Sequence, residues 1–113
     1  MHHTEQWAAE VAAAAVHARV VKTEHVRSHG RHARNVVTLW EHLYAVNGVE
    51  LPLNVVDDVM ERFKTRKAAL DATPRKVDEF RAALGSFAFE AFDHPDTSYV
   101  TAVKAGAPAG GSS

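Results

Sequence analysis

The sequence predicts an all-α fold: a small three-helix domain with a long N-terminal helix and an extended C-terminal arm. Three observations predict it. An apolar stripe of helical period runs through roughly 40 N-terminal residues. Pro is absent from Thr4 to Asn47, where the only Gly is Gly30. Helix-start signals then recur at Asn54 and at Thr73-Pro74.

For the first helix, His25 is set at 0° and about 100° is added per residue. Trp7, Val11, Ala14, Ala18 and Val21 then fall in one narrow arc with His32, Val36, Leu39 and Leu43. Alanines at 8, 9, 12 to 15 and 18 add intrinsic propensity. Ser28-His29-Gly30 permits a break, with Gly30 as a left-handed cap. Against a break, Gly30-Arg31-His32-Ala33 offers a second helix no strong start signal. An unbroken helix would be about 65 Å long, twice the diameter of a compact domain of this size.

Asn47-Gly48 supplies a helix end. Pro52 makes Val49 to Leu53 an extended connector. Asn54 then caps a second helix with Asp57 and Asp58 in its first turn. Its apolar face is Val56, Val59, Met60, Phe63 and Leu70, its basic residues are Arg62, Lys64, Arg66 and Lys67, and it stops near Ala72. Thr73-Pro74 starts a third helix with Val77, Phe80, Leu84, Phe87 and Ala91 on its face. After a turn at Asp93-His94-Pro95-Asp96, the β-prone Thr97 to Val103 reads as an arm able to pair with another chain. Residues 1–104 make a single helical domain, and 105–113 a disordered Gly/Ala/Ser tail.

Composition excludes several function classes. The 113 residues include no Cys, which removes disulfides, thiolate zinc sites and a cysteine nucleophile. A net charge of −1 argues against a uniformly basic protein that binds polyanions by bulk charge. No stretch is long and apolar enough for a membrane span, and no signal peptide precedes the first helix. The expected location is cytoplasmic. Without a Gly-rich phosphate loop, a G-x-S-x-G elbow or an acid/base pair in a cleft, no cofactor and no enzymatic activity are expected.

Three groups of residues carry chemistry. Arg19, Lys22, Arg27, Arg31 and Arg34 face only one acid, Glu24, between positions 19 and 34, whereas residues 35 to 100 hold 11 acids and seven bases. On a helix this stripe suits phosphate tracking or a solvated, ion-paired face. His25, His29 and His32 share a helical face at i, i+4, i+7, a spacing that suits a divalent metal, a polar packing seam or a contact that loosens below about pH 6. Trp40 and Tyr44, with Phe89 and Phe92, are candidate partner contacts. The leading expectation is a non-enzymatic interaction or assembly subunit, self-associating or bound to another protein: an adaptor, scaffold or structural component. The alternatives are a nucleic-acid-binding module on the 19–34 stripe and a His-metal site at a helix interface.

Overall fold

Positions 16 to 46 are rich in the residues that fit a pleated, half-buried surface: Val16, Val20, Val21, Thr23, Val26, Val36, Val37, Thr38, Trp40, Tyr44 and Val46. In the computed structural model, which describes residues 3–29, 33–53 and 55–106, they are strand. The elements are α1 (His3–Ala13), β1 (Val16–His29), β2 (Ala33–Val46), β3 (Val49–Glu50), α2 (Arg66–Gly85), α3 (Ala88–Asp93) and α4 (Ser98–Ala105), with a 3-10 turn at Asp57–Val59. The strands form one antiparallel sheet in the order β1-β2-β3. The all-α, helical-bundle expectation is therefore overturned in favour of an α/β fold. The expected first helix survives only to Ala13, and a β-hairpin replaces the rest. Gly30, where a break was weighed, lies outside the described residues.

β1 and β2 pair without a slip from Val16↔Val46 to His29↔Ala33. At about 3.3 Å per residue each strand is about 45 Å long. Alternation puts Val16, Ala18 and Val20 on one face opposite Val46, Tyr44 and His42. Over that root α2 packs, burying Ala69, Lys76, Phe80 and Leu84. Tyr44 stacks on Phe80 with ring centroids 4.0 Å apart. Trp7 and Val11 of α1, and Val100, Ala102 and Val103 of α4, complete the core. The Trp7 indole N–H donates to the Leu84 carbonyl at 2.7 Å.

Beyond the root the hairpin leaves the body as an arm, with Val26 and Val36 56% and 58% exposed. The molecule measures 61 × 28 × 18 Å, and its radius of gyration is 16.9 Å. A compact chain of this length would have about 13 Å.

Asn47-Gly48 is not a helix end. It is the two-residue turn joining β2 to β3, with Val46 paired to Val49 and positive φ at both residues (52° and 83°). Asn47 also ties three elements together. Its Oδ1 accepts from the Ala15 N–H at 2.9 Å, and its Nδ2 donates to the Ala102 and Val103 carbonyls at 2.9 and 3.0 Å.

The two later helices expected from the sequence are redrawn. Asn54, the expected cap, lies outside the described residues, and Val56 to Phe63 form no α-helix but a connector along the open edge of β2. There Phe63 and Trp40 exchange two backbone hydrogen bonds of 2.8 Å each. The cap that is used is Thr65, whose hydroxyl accepts from the Ala68 N–H at 3.1 Å. From it α2 runs through Thr73-Pro74 without stopping. Pro74 removes one helical hydrogen bond, but buried Ala69 before it and buried Lys76, Phe80 and Leu84 after it fix both halves against the sheet. Thr97 to Val103 is likewise no extended arm: Ser98–Ala105 is α4, whose Val100, Ala102 and Val103 are buried. Of the expected tail, 107–113 lies outside the described residues.

Candidate nucleic-acid interface

The sequence-predicted basic residues are distributed along the hairpin rather than along a helix. Arg19 sits at its root, where its Nε donates to Glu50 Oε2 at 2.6 Å. The pair is mutual: Glu50 pushes the guanidinium pKa up, and the guanidinium holds the Glu50 carboxyl below its ordinary range. Arg19 is thus committed within the fold. Lys22 lies opposite Trp40, Arg27 opposite Asn35, and Arg34 opposite Ser28. Arg31 lies outside the described residues.

The Trp40–Phe63 pairing brings a second basic segment to the same place. Arg62-Phe63-Lys64-Thr65-Arg66-Lys67 contains four bases and no acid. Phe63 is bonded to one edge of Trp40, and Lys22 lies on the other. At about 4.8 Å per strand, Lys22 and Phe63 are about 10 Å apart across the root. Arg66 opens α2, whose first turn holds no acid and is therefore opposite in sign to the residues a helix N-terminus favours.

Next to this basic edge lies a polar cluster centred on Glu41, which is 5% exposed. The Thr23 hydroxyl donates to Glu41 Oε2 at 2.6 Å. His25 Nε2 is 3.6 Å from the same oxygen, and Arg62 Nε is 3.7 Å from Oε1. The cluster anchors Arg62 against the strand. Two ligand-type side chains and an arginine do not make a cation site, and among the described residues no group of three or more His, Cys, Asp or Glu is placed to hold a metal. The expected His25/His29/His32 set is undone by the strand itself. His25 and His29 are four residues apart on β1, about 13 Å, too far to share an ion. His32 lies outside the described residues.

On the core side, His42 is 4% exposed. Its Nε2 is 2.9 Å from the Ala69 carbonyl and 2.9 Å from Thr73 Oγ1. The carbonyl accepts from that nitrogen, which leaves Nδ1 as the unprotonated one. Burial pushes the imidazole pKa below its ordinary value. Tyr44 beside it is raised to about 12, again by burial. Neither Nδ1 of His42 nor the Tyr44 hydroxyl has a hydrogen-bond partner.

The four aromatic partner candidates are thereby separated. Tyr44 is core, and Trp40 is half-buried in the root. Phe89 and Phe92 are 74% and 48% exposed on α3, which packs against α1. Among the described residues no helix is long and apolar enough to cross a membrane.

Sequence reasoning missed Lys64 and Arg66 as companions of the stripe. Their signal was the acid-free run 62–67, which the helical reading assigned to the favourable end of a different element. The sequence matches no known family profile, and no curated protein or solved structure shows detectable similarity to it.

Proposed function

We propose that the chain is a nucleic-acid-binding module whose hairpin arm and root engage the phosphate backbone. One contrast carries the reading. Outside residues 20–40 and 62–67 the described bases are tied down, Lys104 excepted: Arg19 to Glu50, and Arg75 and Lys76 to Glu61 and Glu79, while Arg81 donates to the Val11 and Ala14 carbonyls. At the root, exposed Lys22, Lys64 and Arg66 have no such partner among the described residues. Residues 20–40 and 62–67 together hold eight of the thirteen bases and one of the fourteen acids. The remainder is strongly acidic, so a polyanion is drawn to the arm and repelled by the body.

Fluorescence anisotropy with labelled duplex and single-stranded oligonucleotides tests this. The logarithm of affinity is expected to fall steeply and linearly with the logarithm of salt. Lys22→Ala and Lys64→Ala should each make the slope shallower by about 0.9, the loss of one phosphate contact. Lys104→Ala changes an unpaired base on α4, outside both basic segments, and should leave the slope alone. An affinity insensitive to salt between about 50 and 300 mM refutes the proposal. So does a Lys104→Ala effect equal to that of Lys64→Ala.

A second reading, self-association, keeps one observation: Phe89, 74% exposed, lies beside Ala88 and Phe92 around an open groove with Thr4. The expected 65 Å helix does not exist. Sedimentation of the wild type and of Phe89→Asp tests the reading, and a monomer in both discards it.

A further inference from the structure

β1 is 14 residues long, about twice the usual strand, and contains neither Pro nor Gly. Its register with β2 shows no bulge. The outer edge of β2 is covered, by Phe63 at Trp40 and by Leu51, whose N–H donates to the Tyr44 carbonyl at 2.9 Å. β1 is the other edge of the sheet, and among the described residues no element besides β2 pairs with it. The ladder decides which of its backbone groups are bare. At the foot of the hairpin the Ala15 carbonyl accepts from the Asn47 N–H at 2.8 Å, so odd-numbered residues of β1 turn their polar groups towards β2. Trp40, opposite Lys22, turns its own groups away from β1 to Phe63, which fixes the even positions as outward. Val20, Lys22, Glu24 and Val26 therefore each hold an N–H and a C=O out from the edge.

Native sheets blunt such an edge with charge, Pro or a bulge. This edge carries charge, but of both signs: Lys22 and Glu24, both exposed, stand on either side of Thr23. Neither is ion-paired among the described residues. We infer that the edge pairs antiparallel with the same edge of a second copy, with the two-fold axis at Thr23. That register sets Lys22 opposite the partner's Glu24, twice by symmetry, and Val20 opposite the partner's Val26. Moving the axis to Lys22 or to Glu24 would set a charge against its own copy. An unrelated extended peptide would satisfy the same backbone groups, but the symmetric order of the charges favours the chain's own edge.

The outward residues of the two copies become hydrogen-bonded pairs, each exchanging two bonds, about eight in all. The strands then run in the order β2-β1-β1-β2, and the two 62–67 segments lie on the outer margins of the joined sheet. Lys64 and Arg66 are untouched by the pairing. The Lys22 ammonium has three donors, so one carboxylate does not exhaust it. The inference goes beyond the nucleic-acid reading and does not depend on it.

Sedimentation equilibrium of the full chain at pH 7, freed of nucleic acid, tests this. The wild type is expected to be a dimer. Lys22→Glu and Glu24→Lys should each raise the dissociation constant about tenfold or more, because two attractive pairs become repulsive. The double exchange Lys22→Glu/Glu24→Lys should return it to within about threefold of the wild type, a rescue that a merely misfolded variant would not show. Val26→Pro, which removes an outward N–H and spares the β1–β2 ladder, should also weaken the dimer. A monomeric wild type, single reversals without effect, or a double exchange that restores nothing overturns the inference. So does a dimer lost in Phe89→Asp but kept in Lys22→Glu, which places the contact on α3.

Discussion

Replacing Lys76 by Met is expected to lower stability by about 2 kcal/mol, the balance of the terms that follow. Lys76 is 2% exposed. Its Nζ donates to the Val59 carbonyl at 2.6 Å, Glu79 Oε1 at 2.9 Å and Glu61 Oε1 at 3.1 Å. Met keeps an unbranched stem of similar length, so the packing beside Phe80 survives and the loss is polar. The half-buried Val59 carbonyl accepts from no other donor among the described residues, and leaving it unsatisfied costs about 1–3 kcal/mol. The two carboxylates are partly exposed and retain Arg75, so their loss adds about 0–1 kcal/mol. Against these stands relief of the buried ammonium's desolvation, which in some proteins makes such a replacement neutral or stabilising. Here the carbonyl tips the balance towards loss.

For a chain of this length about 2 kcal/mol corresponds to a fall in Tm of about 8 °C. Thermal and urea unfolding followed by circular dichroism at pH 7 measure it. An unchanged or raised midpoint refutes the reasoning, because it would mean that burying the charge costs more than its three bonds contribute. The acid limb supplies a second check. The Glu79 carboxyl lies below its ordinary value of 4.5 chiefly through Lys76, and that of Glu61 chiefly through Arg75. Depressed carboxyl values stabilise the fold above about pH 4.5, and that stabilisation is lost as pH falls through the folded values. Lys76→Met should therefore flatten the acid limb through Glu79 while Glu61 keeps its share.

Tyr44→Phe removes a buried hydroxyl without a partner and keeps the stack on Phe80, so stability should hold or rise by about 1 kcal/mol; a loss greater than that in urea unfolding contradicts the assignment. His42 is held neutral by burial, so its contribution is complete above about pH 6.5 and declines as pH falls towards its lowered folded value. Wild-type Tm should drop between pH 7.5 and 5.5, and His42→Gln should remove most of that drop; an unchanged slope in the variant would place the titration elsewhere. Gly106→Ala should destabilise by about 2 kcal/mol, because the new Cβ meets the Asn47 side chain and displaces its bonds to Ala15, Ala102 and Val103. Gly85→Ala, with nothing near the new Cβ at the end of α2, should stabilise by about 0.5–1 kcal/mol, and the two Tm shifts must have opposite signs.

What the sequence revealed follows burial. Trp7 and Val11 were expected on a helical face and are buried in α1, and Phe80 and Leu84 hold the expected face of α2. The hairpin was hidden because its two halves break alternation for opposite reasons. At the root both faces are covered in part, so Val20 and Val21 are neighbours and both half-buried. On the arm Glu24, Val26 and Thr38 share an exposed face while His25, Val37 and Leu39 share a half-buried one, but valines stand on both, so the composition does not alternate. With the period-2 signal erased at both ends, a helical stripe could be drawn through residues that the strands divide. Ala18 and Val36 lie on one face, and Val21, His25, Leu39 and Leu43 on the other. Asn47-Gly48 was ambiguous for a different reason: a helix cap and a two-residue hairpin turn make the same demand for positive φ.

The basic site shows where local reading must stop. Its composition was visible, since an imbalance of bases over acids does not depend on whether the backbone is helix or strand. Its geometry depended on two things the sequence does not display. One is the pairing of β1 with β2, which sets Lys22 opposite Trp40 although they are eighteen residues apart. The other is the pair of hydrogen bonds between Trp40 and Phe63, which adds Lys64 and Arg66 from a segment some twenty residues further along. A helix would have lined the arginines along a single flank, fit for one phosphate strand. In the strands the register instead sets Lys22 opposite Trp40 and Arg27 opposite Asn35, so a helical flank does not describe them.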